Sequence, residues 1–250
     1  MNWKHVILAG VLALVVGLIW RLPAPVAAGW VQSAVPGLTL SGTSGTALSG
    51  NAAHVLYEDI ALEDVSWQLQ PLRLLLGQMA VQLSTATDVG RIEASLRRGF
   101  GGGLSAGPVD GQASLAWLAR RAGYTFVPLS GSLILSVDNA EIDNAGVAQT
   151  LSGRVQARGL QWDLLKPPAP IGNFVGVVSG EAGDLQLTVE EADGPVDVEG
   201  EATLAANGVY RLDLRLRARA GADDRLKKLI DQLGRPDDQG WYPIVERGRL

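Results

Sequence analysis

Alternation of apolar and polar residues is the feature that most restricts how this chain can fold. It recurs in six segments, whose apolar positions lie two residues apart. They are Val65/Trp67/Leu69, Met79/Val81/Leu83, Ile92/Ala94/Leu96, Leu133/Leu135/Val137, Leu185/Leu187/Val189 and Tyr210/Leu212/Leu214/Leu216. A period of two is typical of a half-buried antiparallel strand. The 31 glycines supply the turns that many short strands need. The sequence therefore predicts a mainly β fold built on curved antiparallel sheet.

The first 22 residues have a different pattern. Lys4 and His5 precede fifteen uncharged residues at positions 6–20, and Arg21 follows them. A cationic end followed by an apolar run is typical of a signal peptide or a signal anchor. The apolar positions that we assign to a membrane anchor are Val6, Ile7, Leu8, Leu12, Leu14, Val15, Leu18, Ile19 and Trp20.

Retention and cleavage of this segment are both open at this point. Trp3 and Trp20 flank the run as interfacial aromatics do, which favours a retained helix. The small residues of Val26-Ala-Ala28 before Gly29 favour cleavage. In either case the rest of the chain leaves the cytoplasm. We expect a single-pass protein of the bacterial inner membrane, with the bulk of the chain in the periplasm.

The remainder divides into residues 23–37, a helical or linker segment, and residues 38–250, a β-rich domain. Val65-x-Trp67-x-Leu69 is echoed by Leu160-x-Trp162-x-Leu164, which indicates either one domain or two related β modules over 38–100 and 130–220. Arg98 and the glycines that follow it are interpreted as the linker between the two modules, or as a long hairpin tip. Short helices are predicted over 114–122 and, as an amphipathic C-terminal helix with Gly234 and Pro236 as stops, over 223–233.

A hairpin is predicted around Asn207-Gly208. A two-residue turn would mix the faces of its two strands, whereas a three-residue loop over 206–208 keeps them in phase. The longer loop pairs Leu204 with Tyr210, and it continues to a pair of Val196 with Ala218. It also sets Glu199 opposite Arg215 and Asp197 opposite Arg217, so that the arginine-rich strand is neutralised by its neighbour.

Charge and residue inventory exclude several functions. Residues 1–21 hold Lys4 and Arg21 and no acids, so the rest carries 21 − 2 = 19 bases against 26 acids, a net charge of −7. A nucleic-acid binder needs a basic surface. No cysteine is present, and His54 is the single histidine after the anchor. The G-x-S-x-G match at residues 103–107 has no later histidine, so it reads as chance within a glycine-rich loop. We expect a protein that is not an enzyme and has no cofactor, metal site or nucleic-acid partner.

Several residue groups, in chain order, resemble the type II secretion system protein N family. The stretch Leu38-x-Leu40-Ser-Gly42-Thr-Ser-Gly45 is similar to that family's glycine-spaced signature, and Val65-Ser-Trp67-Gln-Leu69 is similar to its Trp–Pro segment. The family-like positions are Gly42, Gly45, Gly50, Trp67, Pro71, Gly131, Trp162 and Gly248. The resemblance implies an accessory inner-membrane component of the machine that moves folded proteins across the outer membrane, with other envelope components as partners.

Two functions therefore remain in view. One is a structural subunit of this secretion machine, which the resemblance favours. The other is a membrane-anchored periplasmic module whose β groove holds a lipid or another amphiphile. The alternating pattern cannot distinguish these two functions, because an apolar strand face has the same sequence pattern whether it contacts a core, a partner protein or an acyl chain.

Overall fold

The structure is a computed structural model, and it describes residues 21–57, 60–74, 76–87, 90–99, 103–121, 126–143 and 147–249. The proposed anchor positions between Val6 and Trp20 lie outside the described residues. Among those described, no helix combines the length and the apolar character that crossing a membrane would require. The chain divides into two compact units, residues 1–88 with 92–100, and residues 89–91 with 101–250.

Unit 1 begins with a helix and continues as antiparallel strands. Its elements are α1 (Ala24–Ala34), β1 (Leu38–Gly45), β2 (Ser49–Tyr57), β3 (Ile60–Leu69), α2 (Pro71–Leu74), β4 (Gln78–Thr87) and β5 (Gly90–Gly99). Helix α1 lies within residues 23–37, for which the sequence left a helix and a linker open. Its prolines at positions 23 and 25 stand where a helix tolerates the loss of the N–H, and Pro36-Gly37 follows its end.

Unit 2 holds the longer strands. Its elements are β6 (Leu104–Ser114), α3 (Leu115–Arg121), β7 (Leu129–Ile142), β8 (Ala148–Trp162), β9 (Ala169–Glu181), β10 (Asp184–Asp193), β11 (Val196–Leu204), β12 (Val209–Ala218), α4 (Asp224–Ile230) with a 3₁₀ turn (Asp231–Leu233), and β13 (Tyr242–Arg249). The strands follow chain order, β1 to β13, in a thirteen-strand antiparallel sheet. The predicted mainly β, antiparallel class is confirmed, as are all six alternating segments.

The predicted hairpin is confirmed in every pair. Leu204 stands opposite Tyr210 and Val196 opposite Ala218, with Glu199 and Asp197 opposite Arg215 and Arg217. Gly208 has φ +81°, as the three-residue loop requires. The amide of Ala205 donates to the carbonyl of Val209 at 2.8 Å, which closes the loop.

Two interpretations of the sequence need correction. The glycine-rich stretch after residue 103 is the start of β6 and not a loop. Gly107 (φ +137°) and Pro108 interrupt its alternation, which hid the strand. In addition, the amphipathic helix predicted over 223–233 ends early, and its last residue, Leu233, is 53% exposed. The α-helix ends at Ile230 and the tighter 3₁₀ turn rotates Leu233 away from the sheet.

The left-handed conformation of Gly208 generates a stability prediction. We expect Gly208→Ala to lower the free energy of unfolding by about 1–2 kcal/mol, because a side chain disfavours positive φ. Gly221→Ala is the matched control, since Gly221 is without positive φ and an added Cβ would meet no atom within 4 Å. Urea denaturation of the full chain measures both variants. Equal urea midpoints for the two variants would contradict the left-handed conformation of Gly208 in the loop.

Candidate functional site

Strand pairing in unit 2 separates the side chains into two faces of different chemistry. One row of directly opposed residues, from β7 to β12, is Val137, Gly153, Val178, Leu187, Ala202 and Leu212. A second row on the same face is Ala140, Leu151, Gly180, Leu185, Leu204 and Tyr210. We call this side of β7–β12 the apolar face. No paired position on it carries Asp, Glu, Lys, Arg or His.

The row next to the first, on the side away from the second, points the other way and is polar. It contains Ser136, Arg154, Val177, Thr188, Glu201 and Asp213. We call this side of β7–β12 the polar face. Because neighbouring rows point to opposite sides of a sheet, the charged residues at the paired positions of these strands lie on one side.

The apolar face is only partly covered. Within the described residues, no large side chain of the molecule is fully buried, and Leu135 in the middle of β7 is 40% exposed. Most other large residues of this face are half-buried. A sheet normally buries its apolar side against another layer. In this protein the second layer covers only one end of the apolar face.

Helix α4 provides this cover at the end formed by the last residues of β8 and β12. Leu226 and Ile230 are buried there against Ala169, Val196 and Tyr242. The helix begins at an Asp223 cap, whose carboxylate accepts from the amide of Arg225 at 2.8 Å. Hydrogen bonds from the Arg225 side chain and amide lower the pKa of Asp223 to about 2.

The end of α4 is also tied to β13. The hydroxyl of Tyr242 donates to a carboxylate oxygen of Asp231 at 2.7 Å. This hydrogen bond, helped by burial, raises the pKa of the tyrosine. The contact fixes the helix across the apolar face, so the cover at this end is a built part of the fold.

The polar face of β11 and β12 carries paired charges. Arg215 donates to Glu199 at 2.6 Å, and Arg217 donates to Asp197 at 3.1 Å. Asp197 also accepts from Arg219 at 2.7 Å. The bond from Arg219, with that from Arg217, lowers the pKa of Asp197 although partial burial opposes the shift. The prediction of a neutralised arginine strand is confirmed for these residues.

A tryptophan supports the same arginines. The guanidinium carbons of Arg215 and Arg217 lie 4.9 Å and 4.5 Å from the centroid of the Trp241 ring, which is 5% exposed. A ring face attracts a cation at these distances. No periodic pattern in the sequence predicts this contact, because Trp241 lies just before β13, outside the alternating strands.

The family-like residues are spread over both units and form no single site. In unit 1, Trp67 stands opposite Gly50, where an added Cβ would come within 2.6 Å of the indole ring. The indole N–H donates to the carbonyl of Ala47 at 3.2 Å. Gly42 and Gly45 have φ +64° and +89°.

Two of the remaining family-like residues are again glycines beside a bulky neighbour. Gly131 in β7 lies beneath Leu160, and Gly248 in β13 lies beneath the ring of Tyr210. Trp162 packs at the α4 end, while Pro71 begins α2. These positions show what the glycines do for strand packing, and their role as a family site stays a prediction.

Residues that could carry chemistry do not converge. His54 is exposed in β2, and Ser105 lies within β6, whereas a nucleophile elbow places its serine at a strand-to-helix turn. In the parts of the chain that the structure describes, no three His, Asp or Glu side chains are grouped to hold a metal ion. A groove of about 690 Å³ lies at the ends of β9–β11. Its rim includes Glu181 and Asp184.

Comparison with known proteins gives consistent matches. The family model for "Type II secretion system (T2SS), protein N" matches residues 36–245. The type II secretion system protein N of Vibrio cholerae serotype O1 is 30% identical, over 95% of this chain and 94% of that protein. The proteins of the same name from Aeromonas hydrophila and Pectobacterium carotovorum subsp. carotovorum are each 24% identical, covering 84% and 100% of both chains. No solved structure gives a significant match.

The charge cluster at Asp197 generates a pH prediction. Its pKa is lower in the folded protein, so its ion pairs stabilise the fold above the unfolded pKa of about 3.9, and the contribution is lost as pH falls through the lower folded pKa. Asp197→Asn should therefore cost about 1 kcal/mol at neutral pH and less in acid. Glu190→Gln, at an exposed residue of β10, is the control. Urea midpoints at pH 7 and pH 3 measure the difference, and an equal loss at both would contradict the prediction.

Proposed function

The chain belongs to the type II secretion system protein N family, and on that premise we propose that it is a non-enzymatic accessory subunit of this secretion machinery, held in the bacterial inner membrane with its β domain in the periplasm. The match over nearly the whole chain is the observation that carries the role in secretion. The location rests on the cationic and apolar pattern of residues 1–22.

An accessory role agrees with the character of the two units. They offer broad strand surfaces, and the ionisable groups that we located serve the fold: Asp223 caps a helix and Asp197 binds two arginines. Function in such a protein depends on surfaces that meet other components. We propose that other envelope proteins of the secretion machine are its partners.

The anchor can be tested by fractionation. We expect membranes of producing cells to hold the full chain, with its N-terminus at or near Met1, resistant to extraction with alkaline carbonate. N-terminal sequencing of the carbonate-resistant material gives the answer. Soluble periplasmic protein that begins at Gly29 would refute the anchor and leave family membership untouched.

Membership in the machine can be tested by co-purification. A tagged full chain, extracted from native membranes in mild detergent, should carry other components of the type II secretion machine with it, as measured by quantitative mass spectrometry. The control is an unrelated single-pass inner-membrane protein with the same tag, produced at the same level. Equal recovery of those components with both proteins would refute a direct structural role.

A further inference from the structure

We propose that one end of unit 1 lies against the membrane surface and inserts Leu72 and Leu76 among its phospholipids. We call it the entry end, and it comprises residues 22–23, the β1–β2 turn at 46–48, the β3–β4 connection around α2 and the end of β5. The choice of a membrane as the partner rests on the proposed anchor in residues 6–20. The contact itself is argued from the hydrogen bonds, exposure and charge of unit 1.

The chain enters unit 1 at this end. The carbonyl of Leu22 accepts from the amide of Ala47 at 2.8 Å, which fixes Leu22 beside the β1–β2 turn. Only Arg21 separates Leu22 from Trp20, the last residue of the apolar run. Two residue steps span at most about 7 Å, so the end of that run lies within this distance of Leu22. An anchor in residues 6–20 therefore brings the entry end to the membrane surface.

The two most exposed leucines of the described residues lie at the same end. Leu72 and Leu76, in the connection from β3 to β4, are 77% and 78% exposed. This connection is bound to the β1–β2 turn, because the carbonyl of Leu48 accepts from the amide of Leu69 at 2.7 Å. It is a hydrogen-bonded turn, in which the amide of Leu76 donates to the carbonyl of Arg73 at 3.0 Å. Unit 1 therefore presents two leucines about 10 Å, or two strand spacings, from the β1–β2 turn.

Helix α1 adds apolar surface beside this end. It packs on β1 with the small residues Ala24 and Ala28 buried, and it leaves Val26 and Trp30 44% and 63% exposed. A helix on the surface of a soluble domain normally buries its large apolar residues instead. The N-terminus of α1 lies at the entry end, and helix side chains lean toward the N-terminus of their helix. Trp30 thus leans toward the membrane surface, where tryptophan is enriched in membrane proteins.

The charge of the entry end matches an anionic surface. Arg73 lies between the two leucines in the sequence, and Arg98 stands at the end of β5, beside the start of β4. Residues 22–57 and 65–87 contain no Asp or Glu. Arginines beside exposed apolar side chains bind bilayers that contain anionic lipid. The entry end therefore matches a bilayer with anionic phospholipid.

Single cysteines test this contact, since the chain contains no cysteine of its own. Leu72→Cys and Leu76→Cys place a nitrobenzoxadiazole fluorophore at the entry end of the full chain. Leu56→Cys is the matched control, because Leu56 is 44% exposed at the opposite end of the same strands. Each protein is reconstituted in vesicles of phosphatidylethanolamine and phosphatidylglycerol with nitroxide-labelled lipid as quencher. We expect quenching at Leu72 and Leu76 to be at least about threefold stronger than at Leu56.

The role of charge is measured in the same vesicles. Arg73→Glu should reduce the quenching at Leu76 at least about twofold, whereas Arg73→Lys should retain it. In vesicles of phosphatidylcholine alone the two variants should be quenched equally, because no anionic headgroup is present. Equal quenching of the two variants in the anionic vesicles would refute the preference for anionic phospholipid. Resistance to protease shows that each variant folds.

Other outcomes overturn the contact itself. Equal quenching at all three cysteine positions would mean that unit 1 has no fixed orientation on the membrane. A chain that floats with the vesicles but is quenched at none of them would refute the contact and leave the anchor intact, whereas a chain that does not float would refute both. p-Benzoylphenylalanine at Leu76 in living cells detects a protein occupant, since one discrete protein adduct would assign this end to a partner. Co-purification with the secretion machine tests the proposed function separately.

Discussion

The separation of charge from hydrocarbon across one sheet is the constraint on which the rest of unit 2 depends, and β-bulges maintain it. Val189 pairs with Gly176, and Ala192 pairs with Phe174. Three residue steps along β10 therefore lie opposite two along β9, which is a β-bulge. The extra residue lets the successive acids Glu190 and Glu191 stay off the apolar face. A regular strand would have turned one of them inward, because a shift of one residue exchanges the faces.

Collecting charges on one face creates an electrostatic problem that strand order solves. The acids of β11 have no base between Lys166 and Arg211 in the sequence, and β12 places Arg215 and Arg217 opposite Glu199 and Asp197. Each exposed pair contributes only about 0.2–1 kcal/mol, so the apolar residues set the register and the ion pairs reinforce it. Asp197 accepts hydrogen bonds from two arginines, and the Trp241 ring packs against two arginine side chains. These contacts hold β12 in place beside the start of β13.

How much the sequence predicts follows from how regular each strand is. The hairpin at Asn207-Gly208 could be derived pair by pair, because β11 and β12 alternate without a bulge. Strands β8 and β9 are not among the six alternating segments, since bulges between Ala157 and Leu160 shift their phase and glycines occupy inward positions. β6 was missed for a similar reason at Gly107. Beyond the β11–β12 hairpin the apolar face could not be predicted, because it exists only once six strands are placed in register, and its continuity across bulges has no period.

The covered and uncovered ends of the apolar face bear on the function. Most domains bury a sheet against a second layer, and α4 does so for the residues around Val196 and Tyr242. Beyond the helix the face keeps its apolar residues, although water contact there is unfavourable by about 25 cal/mol for each Å². Folding alone would allow a polar residue at an exposed position such as Leu135, as at the positions of the opposite face. Leu187 and Leu204 are already half-buried by their neighbours, so among the large residues of this face the unfavourable contact with water is concentrated at Leu135.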